Sequence, residues 1–331
     1  MVRAGVVTLS MGADAWVEFL ESEYMASFIK DGGSAIKFAV PLDGDAAGAL
    51  SNAIDERATQ LGYVVAGVDS ALTRVHMVDQ LFFSVAEQVP WRETVERVVA
   101  RLAEAERYAP ATSGDGPLFR RLAEANDLDP DFLLMNLRRK IESHVFRHKG
   151  MAKDFRVAMT QLAVAELAGA QEATTVHSVL TDWLCGRNRA VSAVKPYHIF
   201  TRINRTNARY FFESLLVWLA FAGYSGLILT LDISRLSVVR NPRDERVYYT
   251  KAGVLDAYEL LRQFIDGTDR LEHCLIVVVP DPAFLDEDLN GRGIGAYEAL
   301  KFRVYDEVRD RTLVNPMASL VRLTRSEGEA Q

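Results

Sequence analysis

Apolar and polar positions along the chain change period repeatedly, and the changes mark short buried strands set between amphipathic helices. An acidic amphipathic stretch, Ala13–Ile29, stops at Asp31-Gly32-Gly33, a C-cap and turn signal, and gives way to the apolar run Ala35–Val40. A helical pattern over 45–60 leads to a second apolar run, Tyr63–Val68, with Asp69 at its end. Residues 71–180 then read as almost continuous helix, in the segments Trp91–Tyr108, Pro117–Ala125, Asp131–His148 and Lys153–Ala168. Beyond them, a helix over 206–222, a strand over 226–232, a helix over 254–265, the strand Cys274–Val279, a helix over 296–309 and the strand Ser319–Leu323 complete the pattern.

Strands separated by helices of this length predict parallel βαβ crossovers, so the fold class is α/β, with a parallel sheet of about five strands covered by helices on both faces. The expected organisation is a core built from 1–70 and 181–324, a large helical insertion over 71–180 between the second and third strands, and a disordered tail over 325–331.

Composition changes this picture little. The chain has 331 residues, 38 Lys+Arg against 45 Asp+Glu and a net charge of −7, which argues against a wholly basic nucleic-acid binder but leaves room for a local basic patch. Cys185 and Cys274 sit in apolar contexts and are expected to be buried and reduced. The uncharged run 215–231 has the length of a membrane span, but Gly223-Tyr224-Ser225-Gly226 breaks it into helix, turn and buried strand. The N-terminal apolar run Ala4–Leu9 is too short for a signal peptide, so a cytoplasmic protein is expected.

The most telling stretch is Gly226–Arg235, GLILTLDISR. An apolar run ending in Asp232 is what a buried parallel strand needs when its last carboxylate must face Mg²⁺ at the mouth of the sheet. Ile233 stands where many P-loop ATPases carry a second acid that activates water.

In order, GGSAIKF (32–38), LTDWLCG (180–186), RINRTNAR (202–209), AGYSGLILTLD (222–232), AYELLRQFIDG (257–267) and AYEALKFR (296–303) resemble the P-loop ATP-binding domain family associated with BREX-type bacteriophage-exclusion systems. The resemblance spans roughly 20–310 and is strongest over 174–303. It implies a P-loop NTPase, AAA-like fold in a bacterial antiphage setting, with an active paralogous ATPase subunit or other defence-system proteins as partners, a hetero- or homo-oligomer, DNA contacted through the complex and no membrane. It also implies a candidate arginine finger, Arg303, acting in trans on a neighbour's nucleotide, and a polar sensor position at Asp281. The bland alternatives are a surface ion pair for Arg303 with Glu298 or Asp306, a turn cap for Asp281, and a cap on the turn at Ser234–Arg235 for Asp232.

The departures from that family are informative. Aligning the strand before Pro41 with the family's first strand sets Pro41-Leu42-Asp43-Gly44-Asp45-Ala46-Ala47-Gly48 on the phosphate loop, with Pro41 and Ala46 in place of its glycines, Ala47 in place of Lys and Gly48 in place of Ser/Thr. Proline has no N–H to donate and Ala47 supplies no cation. Asp43 and Asp45 add negative charge where phosphate should be attracted, so a self-capped helix is expected in place of an anion site. The chain also ends soon after Leu323, so no C-terminal lid over a nucleotide is expected.

The reading is a catalytically degenerate ATPase homologue acting as an assembly subunit, with no cofactor expected. ATP and Mg²⁺ enter only under the alternative of a genuine ATPase with an unconventional phosphate loop and Asp232 on the metal. A nucleotide-independent scaffold or DNA-binding module is the third reading.

Weaker signals remain. His144 and His148 share a helical face, but Val145 replaces the acid of a zinc-protease motif. Gly291-Arg292-Gly293-Ile294-Gly295 starts too far beyond the fourth strand for a dinucleotide loop and reads as a surface loop. Arg138, Arg139, Lys140, Arg147, Lys149, Lys153 and Arg156, together with Arg202, Arg205 and Arg209, form candidate nucleic-acid patches, or else a solvated, partly salt-bridged surface. Phe146 and Phe155 are expected to be core.

Overall fold

The computed structural model describes residues 9–111, 116–240, 245, 247–287, 290–305 and 314–325. In chain order its elements are β1 (Met11–Gly12), α1 (Ala13–Leu20) with a wider turn Glu21–Met25, β2 (Ser34–Pro41), α2 (Gly44–Gln60), β3 (Val64–Asp69), α3 (Val78–Ala86), α4 (Trp91–Ala105), α5 (Leu118–Ala125) and α6 (Pro130–Ile141). There follow α7 (Lys153–Ala168), α8 (Ala170–Leu184), α9 (Val191–Val194), α10 (Ala208–Phe221), β4 (Leu227–Asp232), α11 (Ser234–Ser237), α12 (Lys251–Asp266), β5 (Cys274–Val279), α13 (Glu298–Val304) and β6 (Leu320–Thr324). Residues 1–81 with 225–331 form one compact unit and 82–224 another, the division falling within α3. The tail expected to be disordered lies, beyond Arg325, outside the described residues.

The first unit holds a six-stranded sheet in the order β1-β6-β2-β5-β4-β3, and every pairing is parallel. The strand beyond the expected five is β1, only two residues long, which pairs with Leu323 and Thr324. Strands buried on both faces need near-continuous apolar runs, and β5, CLIVVV, is buried throughout. One face, carrying Ala35, Ala39, Ile228, Leu275, Val277 and Val321, packs under Trp16, Val17 and Leu20 of α1 and Leu50, Ile54 and Ala58 of α2. On the opposite side Phe38 stacks on Phe284, which meets Tyr258 of α12 edge-on. Lys37 is the exception within β2: it is buried, its Nζ donates to the Met317 carbonyl at 2.6 Å and lies over the Tyr24 ring, tying down the approach to β6.

The second unit is helical. Phe211 of α10 meets Phe82, Phe155 and Trp183 edge-on, and the Trp218 indole donates to Thr94 Oγ1 at 2.9 Å, so buried aromatics join α4, α7, α8 and α10. Phe155 is core, as its apolar context requires, whereas Phe146 is exposed, contrary to expectation, because it ends the wider turn Glu142–Phe146 on the outer face. Cys185 and Cys274 are free and buried, and burial pushes the Cys185 thiol up to about 11. Among the described residues, no helix is long and apolar enough to cross a membrane.

Candidate functional site

In a parallel sheet, ligand sites form beyond the carboxyl ends of the strands, and here those ends carry Pro41, Asp69, Asp232 and, two residues past β5, Asp281. Pro41 is still a strand residue, opposite Leu323 of β6, and the Leu42 N–H donates to the Leu323 carbonyl. Only Leu42 and Asp43 therefore separate β2 from α2, and Gly44, Ala46, Ala47 and Gly48 lie inside the helix. Asp43 is its N-cap: the carboxylate accepts from the Ala46 N–H at 2.6 Å. Asp45, in the first turn, pairs with Arg325 at 2.9 Å, and the Ala46 side chain is fully buried.

A phosphate cradle needs several free backbone N–H groups on a glycine-rich loop and a lysine. Pro41 has no N–H, those of Leu42 and Ala46 are engaged, and the carboxylates of Asp43 and Asp45 stand at the N-terminus of α2. An added Cβ at Gly44 or Gly48 meets no atom within 4 Å, so neither glycine is required for close approach. Gly48 is exposed and helical, and Gly48→Ala should therefore raise stability by about 0.5–1 kcal/mol; a denaturant titration showing a loss would mean that this glycine has a partner.

At the other strand ends, Asp69 and Asp232 lie opposite each other in β3 and β4. Each carboxylate bends back onto its own chain: Asp69 accepts from Ala71 N–H at 2.6 Å, and Asp232 from Ser234 N–H at 2.7 Å. Asp281 does the same with Ala283 N–H at 2.8 Å. All three carboxylates thus satisfy orphan donors where the chain leaves the sheet. Ile233 is 1% exposed and lines an apolar niche with Val75, Leu231, Ala257, Leu261 and Phe264, where a carboxylate would be costly.

Arg303 ends up paired, though not with Glu298; Asp306, the other residue considered from the sequence, lies outside the described residues. Its guanidinium forks onto both carboxylate oxygens of Asp266, the last residue of α12, and donates to the Ala299 carbonyl at 2.6 Å. This pairing holds the Asp266 carboxyl below its usual range, so the contact persists at neutral pH and opens only as the pH falls. Nothing in the sequence pattern singled out Asp266.

The glycine-rich loop at 291–295 is a correction to the surface-loop reading. Arg292 is 4% exposed and donates to the carbonyls of Leu236 at 3.2 Å and Tyr249 at 2.7 Å, while its own carbonyl accepts from Tyr258. A Cβ at Gly293 would lie 1.7 Å from the Asp286 carbonyl oxygen, so the backbone passes too closely for any other residue. The Tyr249 hydroxyl lies 2.9 Å from the Ser70 carbonyl and accepts from Val75 N–H. Arg292 and Tyr249 thereby pin the chain that follows β3 and β4.

The candidate nucleic-acid residues all fall in the helical unit and divide into two sets. Lys140 pairs with Glu106 at 2.5 Å, Arg147 with Glu142 at 2.9 Å and Arg209 with Glu213 at 3.2 Å, and Arg156 donates to the His148 carbonyl. Arg138, Arg139, Lys149, Lys153, Arg202 and Arg205 are exposed and have no ion-pair partner among the described residues. His144 bonds to Ser143 and the Lys140 carbonyl, and among the described residues no group of three or more His, Cys, Asp or Glu is placed to hold a metal.

A parallel-only sheet flanked by helices, in which one strand, β5, separates the strand feeding the capped helix from the strand ending in an aspartate, defines a P-loop-like α/β protein. The family described as BREX system ATP-binding protein BrxC/D matches residues 117–329, more than half of the chain, and the chain belongs to that family. The match includes Asp232 and Arg303 and begins after the β2–α2 junction. Neither a curated protein nor a solved structure matches the chain.

Proposed function

We propose that this chain is a catalytically degenerate, AAA-like member of the BREX ATP-binding family, acting in the cytoplasm as an assembly subunit of an antiphage or DNA-handling complex beside a paralogue with an intact nucleotide site. The observation that carries this reading is the Asp43 carboxylate at the N-terminus of α2, bonded to the backbone N–H that a phosphate would otherwise claim. The buried Ile233 and the absence of a lysine at Ala47 point the same way. Calorimetric titration of the purified chain with Mg-ATP, and separately with ADP, should give neither heat nor thermal stabilisation. Saturable binding at micromolar concentration or tighter would overturn the proposal in favour of an ATPase with an unconventional phosphate loop and Asp232 on the metal.

Family resemblance gives Arg303 a role toward the partner's nucleotide, and its pairing with Asp266 makes that role conditional on release. In the assembled complex, Arg303→Ala should lower ATP turnover about 10³-fold or more while leaving assembly intact. Asp266→Asn, which loosens the guanidinium, should leave turnover equal or higher. Unchanged turnover in Arg303→Ala removes the finger and leaves a purely structural subunit.

A further inference from the structure

From Trp183 to Phe212 the chain carries Arg187, Arg189, Lys195, Arg202, Arg205 and Arg209 but no Asp or Glu, in a protein whose net charge is −7. Within this stretch two aromatic rings stand in solvent: Phe200 is 62% exposed and Tyr210 58%. Burial is the ordinary state of such rings, and Phe211 and Phe212 beside Tyr210 are buried.

Of the cations around these rings, Lys149, Lys153, Lys195, Arg202 and Arg205 have no ion-pair partner among the described residues, whereas Arg187 pairs with Asp182 and Glu87. Thr201, next to Phe200, bonds through its hydroxyl to the Asp154 carboxylate at the start of α7, and its carbonyl accepts from the Trp183 indole. The same end of α7 rests on α10: Ala152 N–H donates to Ser214 Oγ, whose hydroxyl donates to the Tyr210 carbonyl. Lys153 thus stands in the chain between Asp154, tied to the segment of Phe200, and Ala152, tied to that of Tyr210, and Lys149 lies on the same connection, which passes Val217 at Gly150 and Phe221 at His148. Between the rings, the turn carrying Arg202 and Arg205 is fixed by its own amides. Asn204 N–H donates to Asn207, Thr206 N–H to the Asn204 side chain, and the Asn207 amide to the Arg202 carbonyl. The acids at hand are already engaged, Asp154 by Thr201 and Glu213 by Arg209.

We infer that this surface of the helical unit, spanning Lys149–Lys153 and Lys195–Tyr210, binds single-stranded nucleic acid, with Phe200 and Tyr210 as stacking platforms for bases and the flanking Lys and Arg residues on the phosphates. Ring faces in solvent between cations suit a strand whose bases are unstacked, because a duplex keeps its base faces covered. The fixed turn presents Arg202 and Arg205 without further ordering of its backbone. The inference stands on the helical unit alone and does not depend on the nucleotide reading.

Fluorescence anisotropy of the full chain with a labelled oligothymidine of about 16 nucleotides tests it. Binding should be tighter than to a duplex of the same length, and its logarithm should fall linearly with log salt. Phe200→Ala and Tyr210→Ala should each weaken binding about five-fold or more, and Phe200→Trp should restore it where Phe200→Leu does not. Lys149→Glu with Lys153→Glu should flatten the salt slope by about 0.7 for each phosphate no longer neutralised. Absence of binding at low salt, affinity unchanged in both aromatic variants, or equal preference for duplex would overturn the inference. Displacement by polyglutamate as effective as by unlabelled oligothymidine would also overturn it and identify an acidic protein segment as the occupant.

Discussion

Gly226→Ala is expected to destabilise the α/β unit by about 3 kcal/mol or more, among the largest effects that one added methyl group produces. Gly226 has φ +139°, in the region open to glycine, and its missing Cβ would lie 2.0 Å from the carbonyl oxygen of His273. That carbonyl cannot retreat, since it accepts from Leu227 N–H at 2.9 Å at the point where β4 joins β5. On the other side the Gly226 carbonyl accepts from Val64 N–H at 3.0 Å, at the start of β3. Relief of the clash must therefore cost ladder bonds on one side of β4 or the other. Hydrogen exchange across 227–232, together with the denaturation midpoint, measures this; a loss under about 1 kcal/mol would show that the backbone adjusts freely there.

The second large effect belongs to Arg292. Replacing it by Met keeps an unbranched chain of similar length but leaves the Leu236 and Tyr249 carbonyls without their donor, at about 1–3 kcal/mol for each buried acceptor. A loss of about 2–5 kcal/mol is expected, with faster exchange confined first to 233–240 and 247–250. Arg292→Lys should recover only part of it, because an ammonium does not span both carbonyls as the planar fork does. Stability equal to wild type in Arg292→Met would mean that the segment is held by Tyr249 alone.

Where chemistry and period agreed, the fold was legible in the sequence. Cys274–Val279 reads as an unbroken apolar run and is a fully buried parallel strand; Lys153–Ala168 reads as a helix and is one over those residues. β1 was not legible, because two residues carry no period and become a strand only by pairing with a segment some 300 positions away. Nor was the strand order, which depends on crossovers that local pattern does not encode. Around the site, Asp43 could be read as a cap because capping is local, three residues from donor to acceptor. The Arg303–Asp266 pair and the burial of Arg292 were illegible for the opposite reason. Both join distant segments, and a glycine-flanked arginine has the composition of a surface loop until Asp286 and Leu236 are brought against it.

The placement of the helical unit also bears on how the protein is made. β3 and β4 are adjacent, in-register strands, yet residues 70–226 lie between them in the chain. At translation rates of about 5–20 residues per second, β3 leaves the ribosome roughly 8–30 s before its neighbour exists. During that interval the strand VVAGVD has an open edge on the side where β4 will pair. The helices of 82–224, whose packing is more local, can fold in far less time once α10 has been made, so the crossover can be complete while β4 still awaits β5.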